Sequence, residues 1–221
     1  MKLLFNALVK LSLGMIMIGL LLFLPAGTIR YPNGWLFCGL LFIPMLILGT
    51  ILFLKAPDLL TKRLNTKETE QDQKQVIGLS LLMFVAGFIV AGLDFRFGWS
   101  NMPGWVVIDS SVVFLGSYGL YAEVMRENTY LSRTVQVQEG QKVVDTGLYG
   151  IVRHPMYLAS MLLFLSMPLV LGSWFAFFIF LIYPFLLVKR IINEEAVLEK
   201  GLPGYLEYKQ KVRYRILPFI W

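Results

Sequence analysis

Arg153-His154-Pro155-Met156-Tyr157 and Arg190-Ile191-Ile192-Asn193-Glu194-Glu195 carry the residue types in this chain that could do chemistry. His154 is the sole histidine in 221 residues. It lies between an arginine and a proline, where a polar stretch gives way to an apolar one. Pro155 has no amide hydrogen and suits the first turn of a helix, where that donor would lack a partner anyway. The amides after it stay open, and with Arg153 and His154 they predict an anion-binding helix start. Glu194 and Glu195 then supply a carboxylate pair, with Arg190 four residues before Glu194 on the same helix face. Alone, each feature has an ordinary reading: an anchored helix end, or a surface ion pair. Together they would place cation, imidazole, phenol and carboxylate in one site.

The segment between them is what would join them. Two apolar runs, 155–171 and 173–188, are separated only at Gly172-Ser173 and predict a tight helical hairpin. Such a hairpin returns the chain to the face it left, so His154 and Glu194 are expected as neighbours. Four further apolar runs precede it: 8–24, 35–54, 76–93 and 104–125. With 57% hydrophobic and 15% charged residues and a mean hydropathy of +0.67, the composition excludes a soluble domain. The expected fold is an all-α integral membrane protein of about six transmembrane helices. The two hairpin runs are short against the ~20 residues a span needs. A boundary near residue 125 divides a four-helix region, 1–125, from a C-terminal region, 126–221, that holds the chemistry.

Charge sets the expected orientation. With a cytoplasmic N-terminus, Arg30 and Arg96 are the only two of the 20 Lys and Arg residues to fall on the outer side. That bias predicts both termini in the cytoplasm. It also accounts for the net charge of +6 without nucleic acid, for which no groove-reading element is present. The first run is read as a retained helix, since its apolar core is longer than a signal core. Cys38 is the lone cysteine, so neither a disulfide nor a Cys/His metal set is expected.

Residues 133–138 alternate polar and apolar and predict an extended segment, turned at Glu139-Gly140 and again at 145–147. Such backbone is costly in lipid and belongs to the cytosolic layer or a polar cavity. Residues 189–206 predict a helix leaving the membrane, interrupted between Gly201 and Gly204. The tail 205–221 mixes aromatic and basic residues, as suits a membrane interface. The polar run 62–74 reads as a solvated loop or interfacial helix. Asp109 falls near the outer boundary of its span and Glu123 near the inner one. Acidic groups in spans are candidates by default, although Asp109 can reach headgroups.

The ordered set Gly-x-Tyr-x-x-x-Arg-His-Pro-x-Tyr, an apolar hairpin, Arg-x-x-x-Glu-Glu-x-x-Leu, Tyr205-x-x-Tyr208 and a closing Pro218-Phe219-Ile220 resembles the isoprenylcysteine carboxyl methyltransferase family. More distantly it is similar to the phospholipid methyltransferases. The resemblance runs from about Arg133 to Ile220. It implies S-adenosylmethionine bound in a cytosolic pocket formed by the C-terminal third, in a compact member placed in a bacterial inner membrane. Carried over by position, Gln138 or Gln136 would contact the cofactor. Gln141, Lys142, Val143 and Val144 would form a strand-like wall, and Tyr149 would pack near the adenosine. His154, Pro155, Met156 and Tyr157 would supply helix-start contacts, and Glu194 would bind the cofactor from the far side. Arg190 aligns with the family's substrate-facing arginine.

The chemistry agrees with that reading. The cofactor carries a carboxylate, an ammonium, a sulfonium and a flat adenine. A helix start with Arg153 suits the carboxylate, Glu194 an amine or ribose hydroxyl, and Tyr149 or Tyr157 the ring. Methyl transfer is an in-line displacement that needs no metal, so positioning and exclusion of water carry much of the rate. Arg190 could hold an acceptor carboxylate bidentately. The partners expected are membrane lipid and a lipophilic or lipidated acceptor. Two alternatives remain: a membrane NADPH-dependent reductase of the sterol-reductase type, whose C-terminal architecture is related, and a non-catalytic membrane scaffold.

Overall fold

The computed structural model describes residues 2–65, 71–132 and 134–221. Part of the polar run 62–74, residues 66–70, and Arg133 in the expected extended segment lie outside the described residues. The helices are α1 (Lys2–Ala26), α2 (Pro32–Lys55), α3 (Pro57–Leu64), α4 (Gln71–Phe97), α5 (Gly104–Glu127), α6 (Pro155–Val170), α7 (Trp174–Phe180), α8 (Tyr183–Gly201) and α9 (Tyr205–Lys211), with a 3-10 turn over Gly147–Gly150. The fold is all-helical: no strand occurs among the described residues. The segment 134–138 and the expected wall 141–144 are irregular backbone, because no neighbouring strand offers them a ladder.

Five helical stretches are long and apolar enough to cross a membrane among the described residues: α1, α2, Gln73–Phe97, α5, and α7 with α8 as Trp174–Gly201. The sixth expected span is shorter than the rest. α6 has 16 residues, or about 24 Å at 1.5 Å per residue, against a hydrocarbon core of ~30 Å. The second hairpin run is longer than expected, because its helix runs on past 188 into the polar stretch. It is broken at Leu181-Ile182, where Pro184 removes the amide that would have bonded to the Phe180 carbonyl.

Backbone contact and aromatic packing hold the bundle together. A Cβ on Gly92 would meet the Leu22 carbonyl oxygen at 2.5 Å, so α1 and α4 cross at a glycine. A Cβ on Gly87 would meet the Phe180 ring at 2.3 Å, which fixes α4 against α7. Phe84 meets Phe164 edge-on at 4.8 Å and Phe180 at 5.4 Å, and Phe164 meets Tyr183 at 4.8 Å. These rings tie α4 to both arms of the hairpin.

At the hairpin turn, Asp94 of α4 is 2% exposed. It accepts from the Ser100 amide at 2.7 Å, the Ser100 hydroxyl at 2.6 Å and the Ser173 hydroxyl. Ser173 in turn caps α7 by accepting from the Ala176 amide at 3.0 Å. The Tyr31 hydroxyl donates to the Leu171 carbonyl at 2.6 Å. Of the acidic residues considered in the sequence, Asp109 is exposed and Glu123 forms an ion pair with Arg126 at 2.6 Å. Both are surface groups.

Candidate functional site

The open end of the hairpin brings the separated motifs together. Pro155 starts α6, with His154 as its N-cap. Ahead of the helix the chain pairs with the C-terminal tail: the Arg153 amide donates to the Tyr214 carbonyl at 2.9 Å and the His154 amide to the Arg215 carbonyl at 2.8 Å. The tail therefore crosses the start of α6. No local sequence pattern announces this contact.

Glu195 lies at the centre and is 3% exposed. One oxygen accepts from Arg153 Nε at 2.9 Å and lies 3.2 Å from His154 Nε2. The other accepts from Arg215 Nε at 3.0 Å, with Lys209 Nζ at 3.8 Å. Arg153 Nη1 also donates to the Val212 and Arg213 carbonyls, each at 2.7 Å. The guanidinium expected at an anion site is thus tied to Glu195 and to the tail. The carboxylate that reaches His154 is Glu195, where Glu194 was expected. Adjacent residues on a helix point about 100° apart, and here Leu187, Ile191 and Glu195 continue one buried stripe at four-residue spacing. An acidic residue in that stripe was a usable signal.

Glu194 faces the next polar group along. The Tyr157 hydroxyl donates to Glu194 and accepts from Arg190 Nε at 2.9 Å. The Arg190 guanidinium sits 5.8 Å from the Tyr157 ring centre. Gln73 of α4 closes the set, its amide donating to the Arg190 carbonyl at 3.1 Å. The His154 and Tyr157 rings are 5.6 Å apart, so the two clusters adjoin. Met156 lies beside them, half-buried in the first turn of α6.

The segment 128–150 forms the adjacent wall. Tyr149 is buried, its hydroxyl accepting from Asn128 at 3.1 Å and its carbonyl from the Tyr208 hydroxyl at 2.7 Å. Burial raises both phenols above the ordinary tyrosine range, so they stay neutral donors. Glu127 accepts from the Leu148 amide at 2.9 Å, and a Cβ on Gly147 would fall 1.7 Å from its carboxylate. The Gln138 side-chain amide donates to the Tyr130 carbonyl, and the Gln138 backbone amide donates to Gln141 Oε1 at 2.8 Å. Gln136 and Lys142 are exposed and Val144 is half-buried, whereas Val143 packs with Val137 on Leu202, Tyr205, Tyr208 and Val212. A concavity of about 240 Å³ lies one turn beyond Glu195, lined by residues 199–207.

Two buried polar atoms have no hydrogen-bond partner among the described residues: Asn193 Nδ2 and Tyr205 Oη. Each lies inside a motif quoted from the sequence, but neither carries a ligand role there. Buried polar groups are nearly always paired, so such orphans point to a ligand or water.

These features define a helical membrane protein with a charged, aromatic cluster at the open end of a C-terminal hairpin. Residues 107–200 match the model of the Isoprenylcysteine carboxyl methyltransferase (ICMT) family. It is also similar to two curated proteins. One is a Delta(14)-sterol reductase of Mus musculus, 33% identical over 91 residues, or 40% of this chain. The other is a Delta(14)-sterol reductase of Methylotuvimicrobium alcaliphilum, 24% identical over 136 residues, or 55% of this chain. The matches span 22% and 32% of those relatives' own length.

Proposed function

We propose that the chain is an integral-membrane methyltransferase that uses S-adenosylmethionine to methylate a lipophilic acceptor, with the carboxylate of a prenylcysteine-like or lipid molecule as the reacting group. One observation carries the reading: within the family-matched stretch, the hairpin gathers His154, Tyr157, Arg190, Glu194 and Glu195 into adjoining hydrogen-bonded clusters. The residues fit the cofactor. Glu194 offers a carboxylate to an ammonium or sugar hydroxyl, Tyr149 and Tyr157 offer ring faces, and the orphaned Asn193 and Tyr205 atoms are unspent polar contacts.

When bound, the cofactor supplies an electrophilic methyl group. The chain's own part is positioning. Glu194 and Tyr157 orient the cofactor side of the site. Arg190, one turn nearer the apolar part of α8, takes an acceptor carboxylate arriving from lipid and aims it. The tail across α6 keeps water from the reacting atoms. The site is assigned to the cytoplasmic face of a bacterial inner membrane, with both termini on that side, on the charge bias of the loops.

Calorimetry on the detergent-purified protein tests the cofactor, and incubation of labelled methyl donor with a lipid extract tests the acceptor. S-adenosylhomocysteine is expected to bind more tightly than NADPH, and label is expected in the lipid fraction. The curated relatives favour a second reading, an NADPH-dependent membrane reductase, and tighter binding of NADPH would establish it in place of the first.

A further inference from the structure

Tyr205 opens α9 directly after Gly204 and is 4% exposed. Its ring fills a slot made by Leu202, Tyr208 and Val212, with Val137 and Val143 packed against them. Packing therefore accounts for the ring, and a phenylalanine would fill the same slot. It does not account for the hydroxyl, which is buried without a partner among the described residues. Other buried or partly buried tyrosines differ: Tyr31, Tyr118, Tyr149, Tyr157, Tyr183 and Tyr208 all have bonded hydroxyls. An unmade buried hydrogen bond is a standing cost, and a native orphan calls for an explanation.

The surroundings narrow what could complete it. Burial and the nearby Glu195 and Glu194 carboxylates raise the Tyr205 phenol far above the ordinary tyrosine range, against the opposing pull of Arg153, so it is a neutral donor beside two anions. An anionic ligand group would be repelled there. Glu195 already has Arg153, His154 and Arg215 on its oxygens, while Glu194 takes the Tyr157 hydroxyl on one. A neutral hydroxyl fits best, since it accepts from Tyr205 and donates to a carboxylate. Two neighbouring hydroxyls on one sugar would use both groups. The concavity lined by residues 199–207 opens at the same α8–α9 junction.

We propose that the Tyr205 hydroxyl is a ligand contact that donates to a sugar hydroxyl of a nucleoside-bearing cofactor held between α8 and the 134–146 segment. This rests on the reading that the site takes such a cofactor, and the sugar is common to the adenosyl sulfonium and dinucleotide classes. The test compares wild type with Tyr205→Phe in detergent by calorimetry against S-adenosylhomocysteine, 5′-methylthioadenosine and NADPH, and by thermal unfolding without ligand. Tyr205→Phe is expected to weaken whichever cofactor the wild type binds by roughly three- to tenfold. If that cofactor is S-adenosylhomocysteine, methylthioadenosine, which keeps the sugar and lacks the amino-acid tail, should lose the same factor. The ligand-free melting temperature should stay level or rise. Tyr208→Phe is the control: it strips a donor from the Tyr149 carbonyl and should lower that temperature. Equal affinities for wild type and Tyr205→Phe overturn the proposal. A wild type that prefers NADPH, with Tyr205→Phe weaker, overturns the methyltransferase reading and keeps the contact. A wild type that binds neither cofactor overturns both.

Discussion

At the turn of the C-terminal hairpin, Asp94 takes two serine hydroxyls and a backbone amide, all neutral donors, and the serines are themselves used to cap α7 and meet the Trp174 amide. At the open end, Glu195 is just as deeply buried, but its partners are Arg153, His154 and Arg215, with Lys209 close by. Both carboxylates tie three chain segments together. The neutral cluster closes on itself: Tyr31, Ser100 and Ser173 all have partners. The charged one gathers more cations than carboxylate and has the orphaned Tyr205 hydroxyl within its electrostatic reach. Surplus charge and unspent hydrogen bonds distinguish the end proposed to meet a ligand, while complete satisfaction distinguishes the end proposed only to hold the fold.

The largest break should come from Glu195→Ala. It leaves the buried Arg153 guanidinium, His154 and the half-buried Arg215 without their shared acceptor, a loss of about 3–5 kcal/mol. The tail should leave α6, exposing Arg213 and Arg215 to trypsin while the bundle stays intact. A variant that melts like wild type with a protected tail would show that Glu195 is not what docks it.

Next come the residues assigned to ligand. Glu194→Ala and His154→Ala should weaken the cofactor by a charge-assisted contact, roughly 1.5–3 kcal/mol, or about ten- to a hundredfold. Glu194→Ala should do so with little loss of stability, whereas His154→Ala should also loosen the Glu195 cluster. Arg190→Ala should lower turnover and leave cofactor affinity within a few fold. If Arg190→Ala abolished cofactor binding and Glu194→Ala did not, the two sides of the pocket would be exchanged.

Asp94→Ala should reverse that pattern. Two serine hydroxyls and an amide lose their acceptor, for about 1–3 kcal/mol of stability, with cofactor affinity unchanged. Asp94→Asn keeps an acceptor and should cost less. A loss of cofactor affinity in either variant would mean that the two ends are coupled and the contrast between them is not one of role.

What the sequence could tell follows the same division. Pro155, the hairpin and the break between Gly201 and Gly204 were legible because proline, glycine and apolar periodicity act over a few residues. The choice between Glu194 and Glu195 needed the phase of α8, which only the stripe through Leu187 and Ile191 records. Asp94 escaped because it follows the end of its apolar run and sits near Arg96, so it read as boundary. The fold-back of the tail onto Arg153 and His154 is a contact across some 60 residues with no local signature. Tyr205 was legible as part of a motif, but its missing partner is a fact of three dimensions.

The smallest effect should come from a pair near the charged end that is not buried. Asp145 accepts from Lys211 at 2.7 Å, both being well exposed, and links the 141–146 segment to α9. The hydrogen bond from Lys211, and then its charge, hold the Asp145 carboxyl below the usual carboxylate range. A carboxyl lowered in the folded state adds stability above its unfolded value, about 3.9, and loses it as pH falls through the lower folded value. Solvent and salt screen an exposed pair of this kind. The melting temperature of Asp145→Asn should therefore lie only slightly below wild type at neutral pH, and the gap should close as pH drops toward about 3 or as salt rises. A gap as wide as that of Glu195→Ala, or one that widened in acid, would mean that nearness to the charged end sets the cost of losing a carboxylate. A narrow gap that closes in acid assigns the cost to burial, which Asp94 and Glu195 share and Asp145 lacks.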